Sequence, residues 1–582
     1  MDLLLSLPDG GPVKVSRLSV DDTEDQGILF VEQLPYKATA SSWHPSGRAL
    51  AVGDEEGNVF ILNADSEEDR RIRELQKLNG TAVAAMEWSK FAPATSVLPA
   101  WVFGMGKLPL GTVPAVDPSK ESLLVSLSRT GHLAYIVDGS LPIADIRLPR
   151  NDDETYCLAS MSPTGRHLIA GSVANEAWTL WLVDSSSLAS NSRGISDAIR
   201  LEERALHLMK AVHATLESSA LTLKAHSEEF RSRLGDCDMA TSLSATKANY
   251  AAESKLRSHI LETLTPAKLV KWEREDSAAM ENMVSAIIVN ADMCVEGLFL
   301  ACLELQSLSS HRLAFLGIDG SADKLVSSVT RLRRELREFQ QIIRLHAASS
   351  RAFFQLATAW LGGPQPEKNL LDCLFSGRFC PFENPCDSEL RASLKAVESC
   401  IVALLTDQRL RVSESLVCNS TAILLGKSSC QPVIQWKQDD LLNICWIEQQ
   451  SKLHISSVSM YGTAKKAVID LDAQGGSWNC LSAYSDDELC LVVTVATGLS
   501  SISLLDIREL PMKAIETTNI AASDGFIVDV NQLHDSVRAQ QLPIEFCQPE
   551  SLCTSSSRKL ASVVANGRMI TLDMQPDEED DN

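Results

Sequence analysis

Several things are missing from this sequence, and each absence removes a class of function. A basic excess is absent: 53 Lys and Arg stand against 76 Asp and Glu, a formal charge of -23 over 582 residues. Such a surface repels a phosphate backbone, so nucleic acid is not an expected partner. No run of about 18 apolar residues occurs, so no membrane span is expected. The opening Met1-Asp2-Leu3-Leu4-Leu5-Ser6-Leu7-Pro8-Asp9 has an apolar stretch too short for an export signal and no basic flank before it. The 15 cysteines form no small disulfide framework. Many sit among apolar residues, as Cys157, Cys302, Cys445 and Cys490 do, and reduced core thiols are the expectation. The glycosylation sequons Asn79-Gly80-Thr81 and Asn419-Ser420-Thr421 carry no meaning without secretion.

Catalytic spacing is missing too. No Ser/His/Asp set, paired carboxylates or His-Glu-x-x-His motif can be nominated, so no catalytic, cofactor-binding or metal-ligating residue is assigned and no cofactor is expected. Gly426-Lys427-Ser428 imitates the end of a phosphate-binding loop, but Thr421 stands where that loop needs glycine. Gly104-Met105-Gly106 lacks the third glycine of a dinucleotide fingerprint. Cys373, Cys380 and Cys386 share a segment at spacings unlike a zinc knuckle. His346 falls on the core face of a helix, where a satisfied core histidine is the default. Arg331, Arg333, Arg334 and Arg337 alternate with Glu335 and Glu338, which reads as a solvated face first and an acidic-partner dock second. Ser162-Pro163 and Thr265-Pro266 match proline-directed phosphorylation sites by a pattern that chance also produces.

What is present points to folding and repetition. The hydrophobic fraction of 45% and charged fraction of 22% are those of a globular protein, and the length exceeds what one core usually organises. A unit of apolar strand, glycine turn, apolar strand recurs. Its clearest copy runs from Ala40 through Trp43-His44-Pro45-Ser46-Gly47-Arg48 and Ala49-Leu50-Ala51-Val52-Gly53 to Val59-Phe60-Ile61-Leu62-Asn63. A second runs from Cys157 through Pro163-Thr164-Gly165-Arg166 to Trp178-Thr179-Leu180-Trp181. Weaker copies lie at Ala84–Trp88 and Leu123–Asp138, and the pattern returns at Val433–Trp436, Asn443–Ile447, Trp478–Asp506 and Lys559–Asp573. At the usual spacing of about 40 to 45 residues, the flanks hold about seven blades of one WD40-like β-propeller, which closure would relieve of open strand edges.

Between the flanks the period changes from two to helical. One stripe runs Leu325, Val329, Leu332, Leu336, Phe339, Ile343, His346, Ser350, Phe353, Ala357, Trp360, and another Leu201, Ala205, Leu208, Val212, Leu216, Ser219, Leu223. A third run covers about Ser277 to Leu308 with Met280, Met283, Ile287, Ile288, Met293, Val295, Leu298 and Leu300, after a shorter piece from Leu256 to Trp272. A fourth follows Asp387 as N-cap, with Leu390, Leu394, Val397, Ile401 and Leu405. A mainly antiparallel four-helix bundle is expected. The resulting division is 1–194 for the first blades, 195–425 for the inserted helices, 426–575 for the returning blades, and 576–582 for an acidic, disordered tail.

This order of parts resembles the family of the fourth subunit of the anaphase-promoting complex. Leu34-Pro35-Tyr36 leading to Trp43-His44-Pro45-Ser46-Gly47-Arg48 is similar to that family's first blade. Leu264-Thr265-Pro266, Phe315-Leu316-Gly317-Ile318-Asp319, Arg351-Ala352-Phe353-Phe354 and Ala359-Trp360-Leu361 resemble its helix junctions. The resemblance implies a non-enzymatic platform in a multisubunit cullin-RING-type ubiquitin ligase that controls mitotic progression and exit, in nucleus and cytoplasm. The large first subunit and the fifth would be its neighbours. The competing expectations are a scaffold of a vesicle coat or nuclear pore, a peptide-reading propeller, and an enzyme with its site on the propeller face.

Overall fold

The computed structural model describes residues 3–6, 13–17, 28–32, 35–45, 49–63, 73–77, 81–90, 122–137, 141–151, 153–234, 255–311, 319–366, 388–418, 422–428, 430–460, 462–470, 476–485, 487–494, 500–516, 520, 525–529, 537–543, 551–555, 559–565 and 568–574. The chain divides into two compact units: Met1–Thr95 with Pro118–Ser192 and Arg409–Asn582, and Ser96–Asp117 with Arg193–Gln408.

Among the described residues the first unit holds seven sheets, built almost wholly from antiparallel neighbours. The first sheet is β1 (Leu3–Ser6), β2 (Val13–Arg17) and β3 (Ile28–Glu32). The second is β4 (Ala38–Trp43), β5 (Ala49–Asp54), β6 (Asn58–Asn63) and β7 (Arg73–Lys77), and the third is β8 (Val83–Lys90), β9 (Ser122–Ser128), β10 (His132–Val137) and β11 (Leu141–Arg147). The fourth has β12 (Thr155–Met161), β13 (His167–Ala174) and β14 (Ala177–Asp184), whose far edge takes β15 (Val417–Cys418) and β16 (Ile423–Lys427). The fifth is β17 (Val433–Gln438), β18 (Leu441–Glu448), β19 (Lys452–Ser459) and β20 (Thr463–Asp470). The sixth begins with β21 (Ser477–Ala483), β22 (Glu488–Thr494) and β23 (Ser500–Asp506). Two later strands return to β20: β24 (Lys513–Glu516) antiparallel and β25 (Phe526–Asp529) parallel. β26 (Val537–Gln541) then completes the sixth sheet, and β27 (Ser551–Ser555), β28 (Leu560–Ala565) and β29 (Arg568–Asp573) make the seventh.

The second strands of the second, third and fifth sheets are buried on both faces, as strands packed between neighbouring sheets are, whereas β29 at the edge of the seventh sheet has no buried residue. All seven residues of β9 are buried, as are Leu50 to Asp54 of β5 and Leu442 to Ile447 of β18. They read as continuous apolar runs for that reason. Tight turns join them. The Asp54 carboxylate accepts N–H bonds from Glu56 at 3.0 Å and Asn58 at 2.8 Å, while Gly57 takes φ +84°. The returning turn before β13 has Gly165 at φ +73°; its counterpart at 46–48 lies outside the described residues.

First strands pack in succession: β4 on β8, β8 on β12, β17 on β21, β21 on β27. The arrangement is propeller-like. Between the fourth and fifth sheets, Ile169, Trp178, Leu180, Trp436, Ile444 and Trp446 share one buried cluster. The helical sequence leaves this unit inside the fourth sheet, before its last strands. Val417–Cys418 and the start of Ile423–Lys427 therefore lie within the range 195–425 given above to helices, yet they are strands. The edge of β14 would otherwise stay unpaired.

The helices are α1 (Ser186–Ser190), α2 (Ser192–Leu234), α3 (Lys255–Thr263), α4 (Pro266–Ser285), α5 (Met293–His311), α6 (Asp319–Trp360) and α7 (Ser388–Ser415), with a π-turn at Ala286–Asp292 joining α4 to α5. Every position of the α6 stripe from Leu325 to Trp360 is buried, His346 and Ser350 included, as is every position of the α2 stripe. The piece from Leu256 to Trp272 is instead two helices. Thr265 caps α4 and Pro266, which has no N–H to leave unpaired, occupies its first turn. On α4 and α5 the buried face runs Met280, Met283, Ile287, Ala291, Cys294, Leu298, Ala301 and Leu305, in steps of three and four through the π-turn; Met293, six residues past Ile287, falls off that face and is 54% exposed. On α7 the stripe turns through Leu404, not Leu405.

Pro266–Ser309 is, by length and composition, long and apolar enough to cross a membrane, contrary to the expectation from the sequence. Asn290, Asp292 and Glu296 interrupt the run in sequence. One of its faces, carrying Leu269, Trp272, Met283, Val295, Leu298 and Leu305, is buried inside the unit. At one end of the unit Phe230 and Leu234 of α2, Leu256 and Ile260 of α3, Leu269 and Trp272 of α4, and Phe353, Phe354 and Trp360 of α6 form a single aromatic cluster. The four rings of Phe230, Trp272, Phe353 and Phe354 meet at centroid distances of 4.7 to 5.9 Å in tilted or edge-on geometries. The loop with Cys373, Cys380 and Cys386, the N-cap Asp387 and the acidic tail lie outside the described residues.

Candidate functional site

In the first unit the side chains that carry polar chemistry are spent on joining sheets. Thr39 Oγ1 of the second sheet donates to the carbonyl of Val83 in the third at 2.7 Å. Glu87 of β8 accepts the N–H of Met161 in the fourth at 2.6 Å. Trp436 Nε1 of the fifth donates to Ser160 Oγ of the fourth at 3.2 Å, and Asp439 accepts from the N–H of Thr164 at 3.0 Å. Gln435 Nε2 reaches the carbonyls of Ser485 and Glu488 in the sixth at 2.7 and 2.8 Å, and Lys437 pairs with Asp487. Thr554 Oγ1 of the seventh donates to the carbonyl of Ala483. From the second sheet to the seventh, each junction has at least one such tie.

Two of these units hold ionisable groups in low-dielectric surroundings. The third and fourth sheets surround the carboxyl of Glu87, and that burial, opposed by the N–H of Met161, pushes it up to about 8. In the fifth sheet Lys466 is buried. Its Nζ donates to the carbonyl of Ile520 at 2.8 Å and lies 5.3 Å from the Trp446 ring. His454 stacks on the same ring at 4.8 Å, and burial followed by the Lys466 charge lowers it to about 4. Sequence reasoning missed Lys466. The signal was a lysine at an alternate position between Ala464 and Val468, both of which face the core.

The helical unit buries a polar group of its own. Asp276 of α4 is 6% exposed; it faces His226 of α2 and accepts the Ser350 Oγ hydrogen bond from α6 at 2.5 Å. His346, one turn before Ser350, places its ring 5.3 Å from that of His226. Burial, then the neighbouring His226, lowers His346 to about 4 against the weaker pull of Asp276. Serine, histidine and aspartate thus do meet, though no spacing announced it. The order is unlike a nucleophilic triad: the carboxylate sits between serine and histidine, and the serine hydroxyl is buried against it. It ties three helices together.

The other features singled out in the sequence resolve into local structure. Gly426-Lys427-Ser428 ends strand β16. Ser428 Oγ donates to the carbonyls of Cys430 and Ile447 at 2.6 and 3.1 Å, leaving no open cradle for phosphate. The arginines of α6 are paired inside the unit: Arg333 and Arg337 with Glu296, Arg331 and Arg334 with Glu335, and Arg334 also with Glu338. The solvated-face reading accounts for them. Cys302, Cys445 and Cys490 are buried and free, their thiols pushed up by burial, while Cys157 is half-buried. Among the described residues no three His, Cys, Asp or Glu side chains are placed to hold a metal. Gly104-Met105-Gly106 lies outside the described residues. What remains outward on the helices includes apolar residues: Val289, Met293 and Leu303, 44%, 54% and 37% exposed, continue one side of the helix past the π-turn.

A propeller-like stack of polar-tied sheets, interrupted within its fourth sheet by long helices, is an arrangement of the WD-repeat class. Residues 1–91, which cover the first two sheets and β8, match the family model of the anaphase-promoting complex subunit 4 WD40 domain. The resemblance noted in the sequence is therefore to this family, over that part of the chain. No curated protein matches the chain.

Proposed function

We propose that the chain is a non-catalytic scaffold subunit of the anaphase-promoting complex, a multisubunit cullin-RING-type ubiquitin ligase that controls mitotic progression and exit. The observation that carries this reading is the match over residues 1–91, standing on an architecture with long helices inserted inside the fourth of seven sheets. In this reading the sheets close into one propeller, with the first beside the last, and α2, α4–α5, α6 and α7 act as an inserted four-helix bundle. Both present rigid surfaces, and ubiquitin transfer belongs to other subunits.

The large first subunit and the fifth subunit are the expected neighbours, with no role for nucleic acid or membrane, and the complex acts in nucleus and cytoplasm. The outward Val289, Met293 and Leu303 are anchors of the kind that a neighbouring subunit buries. Mild affinity purification of the tagged chain from dividing cells, followed by mass spectrometry, tests this. Cullin-like and RING subunits in stoichiometric amount are the expected result. Recovery of coat or nuclear-pore proteins in their place overturns it.

A further inference from the structure

Only two of the 22 prolines follow a serine or threonine, at Ser162-Pro163 and Thr265-Pro266. The structure separates them. Ser162 is fully buried, its Oγ accepts the His167 N–H at 3.1 Å, and its own N–H donates to the His167 carbonyl at 2.8 Å. A kinase could reach that hydroxyl only by opening the fourth sheet. Thr265 is exposed, and so are Pro266, Ala267 and Lys268 after it. Its backbone is extended at φ -95° and ψ 155°, and its hydroxyl is held only as the acceptor of a long 3.4 Å bond from the Lys268 N–H. Two residues, Leu264 and Thr265, separate α3 from α4, and a nine-residue helix such as α3 is weakly self-supporting.

The exposed sequence is thus Thr-Pro-x-Lys: an acceptor hydroxyl, a following residue with no backbone N–H to satisfy, and a cation three positions on. We propose that Thr265 is the phosphoacceptor of this chain for a proline-directed kinase that prefers a basic residue at the third following position. Thr265 Oγ1 attacks the γ-phosphorus of ATP. The Oγ1–P bond forms as the bond from that phosphorus to the β,γ-bridging oxygen breaks, the hydroxyl proton passes to the kinase's base, and ADP leaves. The product carries a charge of about -2 at the start of α4, beside first-turn N–H groups and Lys268. A dianion there is favoured by the helix dipole, so the modification leaves the helix start intact and changes the charge of an exposed surface.

The test is incubation of the full-length chain with ATP and a purified proline-directed kinase, with site-resolved mass spectrometry over time. Phosphate accumulating at Thr265 and not at Ser162 is expected. Thr265→Ala and Pro266→Ala should abolish the signal, the latter with the hydroxyl still present, Lys268→Ala should slow it several-fold, and Thr265→Ser should keep it. An unmodified Thr265 in the folded chain, while a peptide of residues 258–272 is phosphorylated under the same conditions, overturns the proposal. So does phosphorylation of Ser162 in preference to Thr265.

Discussion

The two units use opposite means to hold their elements in place. The sheets are joined at many points by single polar contacts, each between one sheet and the next, so no one contact is indispensable. The helices pack along buried stripes that run the length of α2 and α6, and they concentrate their ring contacts in one aromatic cluster and share one carboxylate, Asp276, among three helices. Distributed ties tolerate local loss; a concentrated junction does not.

The largest blow to that contrast is Trp272→Ala. Trp272 is 1% exposed and touches Phe230, Phe353 and Phe354, and truncation of such a ring costs about 3 to 5 kcal/mol. Hydrogen exchange of the full chain should then show the helical amides losing protection while β9, β13 and β18 keep theirs. Loss of protection in both units together would mean that they fold as one.

Acid should act in the same direction. His346 has its folded value lowered to about 4 from an ordinary 6.5, so the folded state favours the neutral ring. Its contribution is fully present above about 6.5 and is lost as pH falls towards 4, amounting to about 3 kcal/mol at the lower end. Urea unfolding followed by helical circular dichroism should show this slope in the native chain and a shallower one in His346→Leu.

Breaking one tie between sheets should cost less. In Trp436→Phe the bond to Ser160 is lost, and a double-mutant cycle with Ser160→Ala should return a coupling of about 1 kcal/mol. A much larger coupling would make the sheet stack as concentrated as the helical junction. Smallest of all is Arg334→Ala. The side chain is 66% exposed and paired with its own helix, so the midpoint of unfolding should stay where it is in the native chain.

Much of this was legible in the residues. Periodicity placed α2, α6 and their buried faces position by position, because a long helix with a polar exterior records its packing in steps of three and four. Glycine turns and apolar strands marked the repeating sheets. Apolarity misled at Met293, an apolar side chain six residues past Ile287 and therefore off the buried face, which runs on through Ala291 and Cys294. Periodicity failed where an element is too short to show a period, as with β15, β16 and the break at Thr265. The polar ties were hidden as well, since Gln435 and Ser485, or Asp276 and His226, are unremarkable residues until folding brings them together.

The sequence by itself therefore determined the longer strands and helices, which face of the longest helices is apolar, and that the helices interrupt the strands. These follow from local sterics and from the spacing of apolar residues along one chain. Only the tertiary structure decided that the interruption falls inside the fourth sheet, that Asp276 is shared by three helices, and that Thr265 is open while Ser162 is closed. Each of those depends on residues far apart in sequence, and on burial, which no single stretch of chain encodes.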